Sequence, residues 1–284
     1  MEIKKVGVIG MGTMGGQIGV VCARGGYQTA MVDVSSEKVE EGLQRIRAFL
    51  QTQEKKGRID QNAADEILSR ITGSADLQAC LADADLIIEA VYEDMEIKKK
   101  VFKNMDQAVS AHTILASNTS TLWITEIAAA TNRPGKCIGT HFLIPAALTP
   151  LVEVVRGTAT SDETHRAVIS FLKSCGKETV TVEDSPGFVI NRLYLPMINE
   201  AFFMLENGLS SAEEIDLSCT RGLGFPLGPL AAADASGLDI ILSCIQTLHR
   251  ELGEKFRPSS LLVKLVKAGH LGRKSGRGVY SYEK

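Results

Sequence analysis

Near the amino terminus the chain runs Val6-Gly-Val-Ile-Gly10-Met-Gly12-Thr-Met-Gly15-Gly16, an apolar strand that breaks through glycines into a helix start. Few folds use such a stretch. Gly10 permits a sharp turn, Gly12 lets the backbone approach a pyrophosphate, and Gly15 lets the helix pack close to its strand. The backbone N–H groups around Met11, Thr13 and Met14 would then face the phosphates of a dinucleotide. The next apolar strand, Thr29-Ala-Met-Val-Asp33, ends in a carboxylate about 20 residues after the glycines, where an acid holds the adenine ribose hydroxyls. That acid would repel a 2′-phosphate, and Val34-Ser35-Ser36 offers no Arg to receive one, so NAD is expected over NADP. Val6 to Ala23 is uncharged and long enough to suggest a signal peptide or membrane span, but its six glycines and Gln17 argue against both.

Across 284 residues, 44% hydrophobic and 23% charged, the chain can bury a substantial core in one large or two ordinary domains. A net charge of −3 gives no reason to expect nucleic acid or an anionic membrane as partner. Six scattered cysteines without a C-x-x-C pair, and no clustered His, read as reduced thiols in a cytoplasmic protein and not as a metal site.

After Asp33 the pattern is helical to about Leu50, charged at Gln53 to Asp60, and helical again to about Arg70, a helical hairpin inserted between strands. Its tip carries Lys55, Lys56 and Arg58, a solvated helix end or a landing site for a phosphate-bearing substrate tail. Asp85 to Val91 is an apolar run of the kind buried in a parallel sheet. It brings Glu89, Glu93 and Lys98 towards the carboxyl ends of the strands, where ligands bind; taken singly, each reads as a surface charge. The strand Thr113 to Ser117 runs into Asn118-Thr119-Ser120-Thr121, which is open to two readings, helix capping and ligand contact. Trp123, just behind, reads as core.

The chemistry is expected between Cys137-Ile-Gly-Thr-His141-Phe and the returning strand Leu151-Val-Glu153-Val-Val155. With period two, Glu153 shares an apolar face with Leu151 and Val155, so its carboxylate needs a partner. His141, a short loop away, is the natural one, and such a pair suits a general base that takes a hydroxyl proton. After an alternating strand, Thr179 to Val182, the chain becomes helical: Val189 to Glu206, Ala212 to Arg221, Gly237 to Leu252 and Ser260 to Ala268. A domain boundary is therefore expected near Ser185, with a 1–184 α/β domain and a helical 185–284 domain. The faces Leu193-Met197-Ala201-Leu205 and Ile240-Leu248 exceed what that small helical domain buries, so a homodimer is expected.

In combination these motifs carry a resemblance to the 3-hydroxyacyl-CoA dehydrogenase family, in its short bacterial 3-hydroxybutyryl-CoA form. The likeness runs nearly end to end, through the glycine turn, Glu89 to Glu93, Ser117 to Ser120, His141-Phe, Leu151 to Val154, Asp184 to Arg192, Gly222 to Pro229, Gly237 to Asp239 and Gly272 to Gly278. It implies a Rossmann-type NAD domain followed by an all-α domain that supplies substrate and dimer contacts. It also implies a soluble β-oxidation-type enzyme that interconverts a (3S)-3-hydroxyacyl-CoA and the 3-oxoacyl-CoA. By the matching motifs, Asp33, Glu93, Lys98, Asn118, Ser120 and Lys274 would contact NAD. His141 would be the base, polarised by Glu153. Ser120 and Asn191 would hold the substrate oxygen, and Lys56 would touch the CoA moiety.

The family usually has His-Phe-Phe-Asn-Pro where this chain has His141-Phe-Leu143-Ile144-Pro, and larger residues where it has Ala231-Ala-Ala233. The alanines are expected to leave room for a bulkier acyl group. Two other functions compete: a relative acting on a hydroxy acid without CoA, and an NAD-binding protein without turnover.

Overall fold

A computed structural model describes residues 2–282. The chain divides after Asp184 into two compact units. In the first, β1 (Lys5–Ile9), α1 (Thr13–Arg24) and β2 (Gln28–Val32) form the opening βαβ unit. Then come α2 (Ser36–Lys55), α3 (Gln61–Ser69), β3 (Ile71–Ser74), α4 (Leu77–Leu81), β4 (Leu86–Glu89), α5 (Met95–Ala108), β5 (Ile114–Ser117) and α6 (Ile124–Ala128). β6 (Cys137–Phe142), β7 (Leu151–Arg156), α7 (Asp162–Ser174) and β8 (Glu178–Glu183) complete the unit.

The eight strands make one sheet in the order β3-β2-β1-β4-β5-β6-β7-β8. Every pair is parallel except β6–β7, so the sheet is mixed, and its last two strands run against the other six. Strand order reverses at β1, which lies between β2 and β4; an open α/β sheet receives ligands at such a point. Period two sorts the side chains into layers: Leu86 and Ile88 join the core on one face, Ile87 that on the other.

The inserted hairpin is α2 and α3, capped by Ser35 and Asp60, whose side chains accept from Lys38 N at 3.2 Å and Ala63 N at 2.8 Å. It returns through β3, which the sequence pattern does not disclose. Ile-Thr-Gly-Ser has one large apolar residue, and pairing with β2, Thr29↔Ile71 onward, makes it a strand. Trp123, expected in the core, is only half-buried and precedes the short α6. In place of a capping side chain at Trp123, α6 receives Asp184, which accepts from Ile124 N at 3.0 Å and Thr125 N at 2.7 Å. All six cysteines are free thiols. Burial pushes Cys137 up to about 11 and Cys175 to about 12, so neither is a ready nucleophile.

The second unit holds α8 (Ile190–Glu206), α9 (Ala212–Leu217), α10 (Pro229–Ser236), α11 (Leu238–Leu252) and α12 (Ser260–Lys267). α10 was hidden in the sequence by its glycine- and proline-rich approach, yet Pro229 stands at the first helical position, where its missing N–H costs nothing. The face of α8 expected to exceed what this unit buries is split. Leu195, Ile198, Ala201 and Phe202 are buried, while Leu193 is 72% exposed. Ile240 and Leu248 likewise part company, at 51% and 0%.

Candidate active site

The glycine turn lies at the carboxyl end of β1. Gly10 has φ +92°, and its N–H donates to Val32 O at 2.8 Å, drawing the turn towards the end of β2. Asp33 completes that stitch: its two oxygens accept from Met11 N and Val34 N, both at 2.7 Å. Met11 is engaged internally, since its amide goes to Asp33 and its side chain is fully buried. The amides that follow are disposed differently. Gly12 is the N-cap of α1 and offers no capping side chain, so the first-turn N–H groups around Thr13 and Met14 keep their capacity for an anion. A Cβ on Gly12 would meet nothing within 4 Å, whereas one on Gly15 would lie 1.7 Å from Gly10 O. The structure thus has an open cradle at Gly12 and a packed one at Gly15, the pattern a pyrophosphate requires.

Beside the turn is a cavity of about 110 Å³, lined by Gly12, Thr13, Gln17, Arg45 and Phe49 among others. Arg45 Nη2 donates to Met11 O at 3.2 Å, placing a cation next to the phosphate end of α1. Nothing in the sequence singles out Arg45, because it is one of several cations on the exposed side of α2.

At the ends of β4 and β5, Glu89 and Lys98 are not surface groups, whereas Glu93 is exposed. Glu89 and Lys98 are 0% and 1% exposed, and Lys98 Nζ lies 2.7 Å from Glu89 Oε1. Glu89 also accepts from Val91 N and Ser117 Oγ, both at 2.7 Å. Glu93 takes the second position around Lys98, at 3.4 Å, and its Oε1 accepts from Thr119 Oγ1 at 2.6 Å, Ser120 N at 2.7 Å and Thr121 N at 3.0 Å. One ammonium and two carboxylates therefore fix the loop that carries Asn118 and Ser120. A carboxylate inside the apolar run Leu86 to Val91 was the available signal, since a buried charge demands a partner.

His141 and Glu153 are directly opposed across the antiparallel pair β6–β7. His141 Nδ1 and Glu153 Oε2 are 2.7 Å apart, with the residues 4% and 0% exposed. The contact suits an imidazole whose Nδ1–H donates to the carboxylate. Asn118 reaches the same strand end: its Oδ1 accepts from Phe142 N at 2.9 Å. The structure thus brings together the glycine turn, Asp33, the Glu93–Lys98 network, Asn118, Ser120 and the His141–Glu153 pair on one edge of the first unit.

The remaining candidates are placed elsewhere. Lys56 is exposed and ends α2, and Ile144 is 68% exposed in the loop after β6. Asn191 and Lys274 belong to the second unit, Asn191 half-buried at the start of α8 and Lys274 Nζ 2.6 Å from Asp239 Oδ1. Ala232 and Ala233 are 8% and 0% exposed, and Ala233 packs in the core with Leu230, Leu238 and Ile241. The room expected at the alanines is therefore filled at Ala232 and Ala233, while the half-buried Ala231 lines a cavity with Asp216, Leu227 and Tyr280. Among the described residues no three His, Cys, Asp or Glu side chains converge as metal ligands, and no helix is long and apolar enough to cross a membrane.

Residues 5–185 match the family model described as 3-hydroxyacyl-CoA dehydrogenase, NAD binding domain, and residues 187–282 match that of the C-terminal domain. The chain is 47% identical to a probable 3-hydroxybutyryl-CoA dehydrogenase of Bacillus subtilis, covering 100% of this chain and 99% of that protein. It is 44% identical to a 3-hydroxybutyryl-CoA dehydrogenase of Bradyrhizobium diazoefficiens, covering 99% and 96%. Among solved structures, (S)-3-hydroxybutyryl-CoA dehydrogenase from Ralstonia eutropha superposes with a TM-score of 0.95 at 44% identity, covering 100% of both chains.

Proposed function

This chain belongs to the 3-hydroxyacyl-CoA dehydrogenase family, and from that premise we propose that it is an NAD-dependent oxidoreductase interconverting a (3S)-3-hydroxyacyl-CoA and the 3-oxoacyl-CoA, with His141 as general base. The observation that carries the reading is the buried His141–Glu153 contact at 2.7 Å on the same sheet edge as an open glycine cradle. NAD bound there supplies the hydride acceptor. Gly10, Gly12, Thr13, Met14 and Gly15 form its phosphate seat, Met11 serving as the spacer whose amide anchors Asp33. Asp33 retains lone pairs for the ribose hydroxyls, and Glu93, Lys98, Asn118 and Ser120 complete the seat. His141 Nε2 takes the proton from the 3-hydroxyl in one direction and returns it in the other. Glu153 stabilises the imidazolium formed midway, which a neutral partner could not do equally well. Ser120 holds the substrate oxygen, and Lys56 meets the CoA phosphates.

We place the protein in the cytoplasm and in fatty acid metabolism, and assign the 185–284 unit to substrate contact and dimer formation. Support for a homodimer comes from apolar side chains that this unit leaves in solvent: Leu209 is 72% exposed, Leu223 67% and Leu217 55%. Sedimentation at micromolar concentration should give twice the chain mass, and Leu223→Asp should shift it towards the monomer. A monomer in the unaltered protein would refute this assignment.

NADH oxidation with acetoacetyl-CoA, run beside free acetoacetate, tests the substrate class. Turnover of the thioester with little for the free acid is the expected result. Comparable turnover of both, without competition by free CoA, would move the assignment to a hydroxy acid lacking CoA. That second reading has one observation in its favour, the aliphatic, solvent-facing Ile144 where the family usually carries an amide.

A further inference from the structure

Lys177 lies between α7 and β8 and is 5% exposed, yet the chemistry above makes no use of it. Its Nζ donates to the carbonyl oxygens of Ala146 and Thr149, each at 2.7 Å. Those carbonyls belong to a tight turn in which Leu148 N and Thr149 N both donate to Pro145 O at 2.9 Å. Facing the turn from α1, Gln17 Oε1 accepts from Ala147 N at 3.3 Å. Residues 143–150 make up the loop that joins β6 to β7, so this turn leaves the sheet right after His141-Phe142 and re-enters it at Leu151, close to Glu153. Charge-assisted hydrogen bonds are roughly twice as strong as neutral ones, and two of them converge here on backbone that has no regular ladder of its own.

We propose that Lys177 is a positioning residue, whose ammonium pins the turn after His141 and thereby fixes the end of the hairpin that holds the His141–Glu153 pair. The proposal rests on the reading of His141 as the base. A buried cation is costly, and an apolar side chain of the same length would fill the space; what it could not do is draw two carbonyl oxygens onto one point. Burial first, and the Arg24 guanidinium at the end of α1 second, push Lys177 down to about 8. The other groups facing this region are the neutral Cys175 thiol after α7, Arg58 beyond α2, which lines a small cavity with Arg24, Ala147 and Leu148, and the exposed Glu178. The ammonium is therefore intact at neutral pH and lost as pH rises through about 8, loosening the turn.

The test is steady-state kinetics on the full chain with NAD⁺ and (3S)-3-hydroxybutyryl-CoA, the direction in which His141 works unprotonated and gives no alkaline limb of its own, from about pH 6 to pH 10. Lys177→Met should lower kcat at pH 7 by on the order of 10- to 100-fold, the penalty for a displaced catalytic group, with the KM for NAD⁺ within about twofold. Lys177→Arg should restore most of kcat and move the alkaline limb of the profile upwards, because a guanidinium does not titrate there. A Lys177→Met enzyme with unaltered kcat, or an alkaline limb that stays in place in Lys177→Arg, overturns the proposal. If Lys177→Met does not fold, the Lys177→Arg profile still decides. His141→Ala, measured alongside, keeps the two readings apart: a collapse there with no effect at Lys177 refutes only the positioning role, while an active His141→Ala enzyme refutes the base itself.

Discussion

Replacing His141 with alanine lowers kcat by about 10²–10⁴-fold, the usual cost of removing a positioned acid-base group, and leaves NADH affinity near its starting value. The two effects separate because His141 is on β6 while the phosphate seat is formed by the turn between β1 and α1. The variant carries a second consequence. Glu153 is 0% exposed, and without the imidazole its carboxylate loses a close hydrogen-bond partner, a loss of about 1.5–3 kcal/mol for a hydrogen bond to a charged group. His141→Ala should therefore melt well below the unaltered enzyme, and His141→Ala with Glu153→Gln should recover part of that loss without regaining activity. Glu153→Gln alone keeps an acceptor for Nδ1 but removes the charge opposite the imidazolium, so its kcat should fall less than that of His141→Ala. Combining it with His141→Ala should cost little further rate, since residues that act as a unit are not additive. Rapid turnover by His141→Ala in single-turnover NADH oxidation would exclude this residue as the base.

The second large effect is a contrast between two glycines three positions apart. Gly12→Ala adds a methyl to open space at an ordinary negative φ of −65°, so melting should be nearly unchanged. That methyl occupies the approach of the pyrophosphate, and NADH affinity should fall at least about tenfold, a loss of roughly 1.4 kcal/mol. Gly15→Ala puts its methyl 1.7 Å from Gly10 O, against backbone that cannot turn aside. Here both quantities should drop: overpacking of this kind costs about 1–3 kcal/mol in stability, and the displaced turn misaligns the first-turn amides. Calorimetric melting with fluorescence titration of NADH separates the cases. Equal NADH affinity in Gly12→Ala and the unaltered enzyme would remove the phosphate seat from this turn.

Much of the site is legible in the sequence wherever a local rule forces the outcome. The strand, glycine turn and helix follow from residue type and spacing alone, because only glycine accepts the turn at Gly10 or the approach at Gly15. Glu153 could be matched to His141 because period two places a carboxylate on an apolar face, and the antiparallel register does oppose the two residues. The same reasoning was available for Glu89, inside an equally apolar run, but its partner is nine residues away on a helix whose direction no local pattern gives. Read singly, Lys98 belongs on a surface; packed, it is 1% exposed between two carboxylates.

The sequence by itself determined the glycine cradle, the acid at the end of β2, the change from alternating strands to helices after Asp184, and the pairing of His141 with Glu153. Each depends on neighbours in the chain or on a single hairpin. Only the tertiary structure decided which charges are buried and what they hold. Arg45 reaches Met11 from α2, Asp184 caps α6 across 60 residues of chain, and Lys177 closes a turn 28 and 31 residues before it. The physical reason is that desolvation and hydrogen bonding are set by distance in space, and these partners meet only once the sheet has brought the strand ends together.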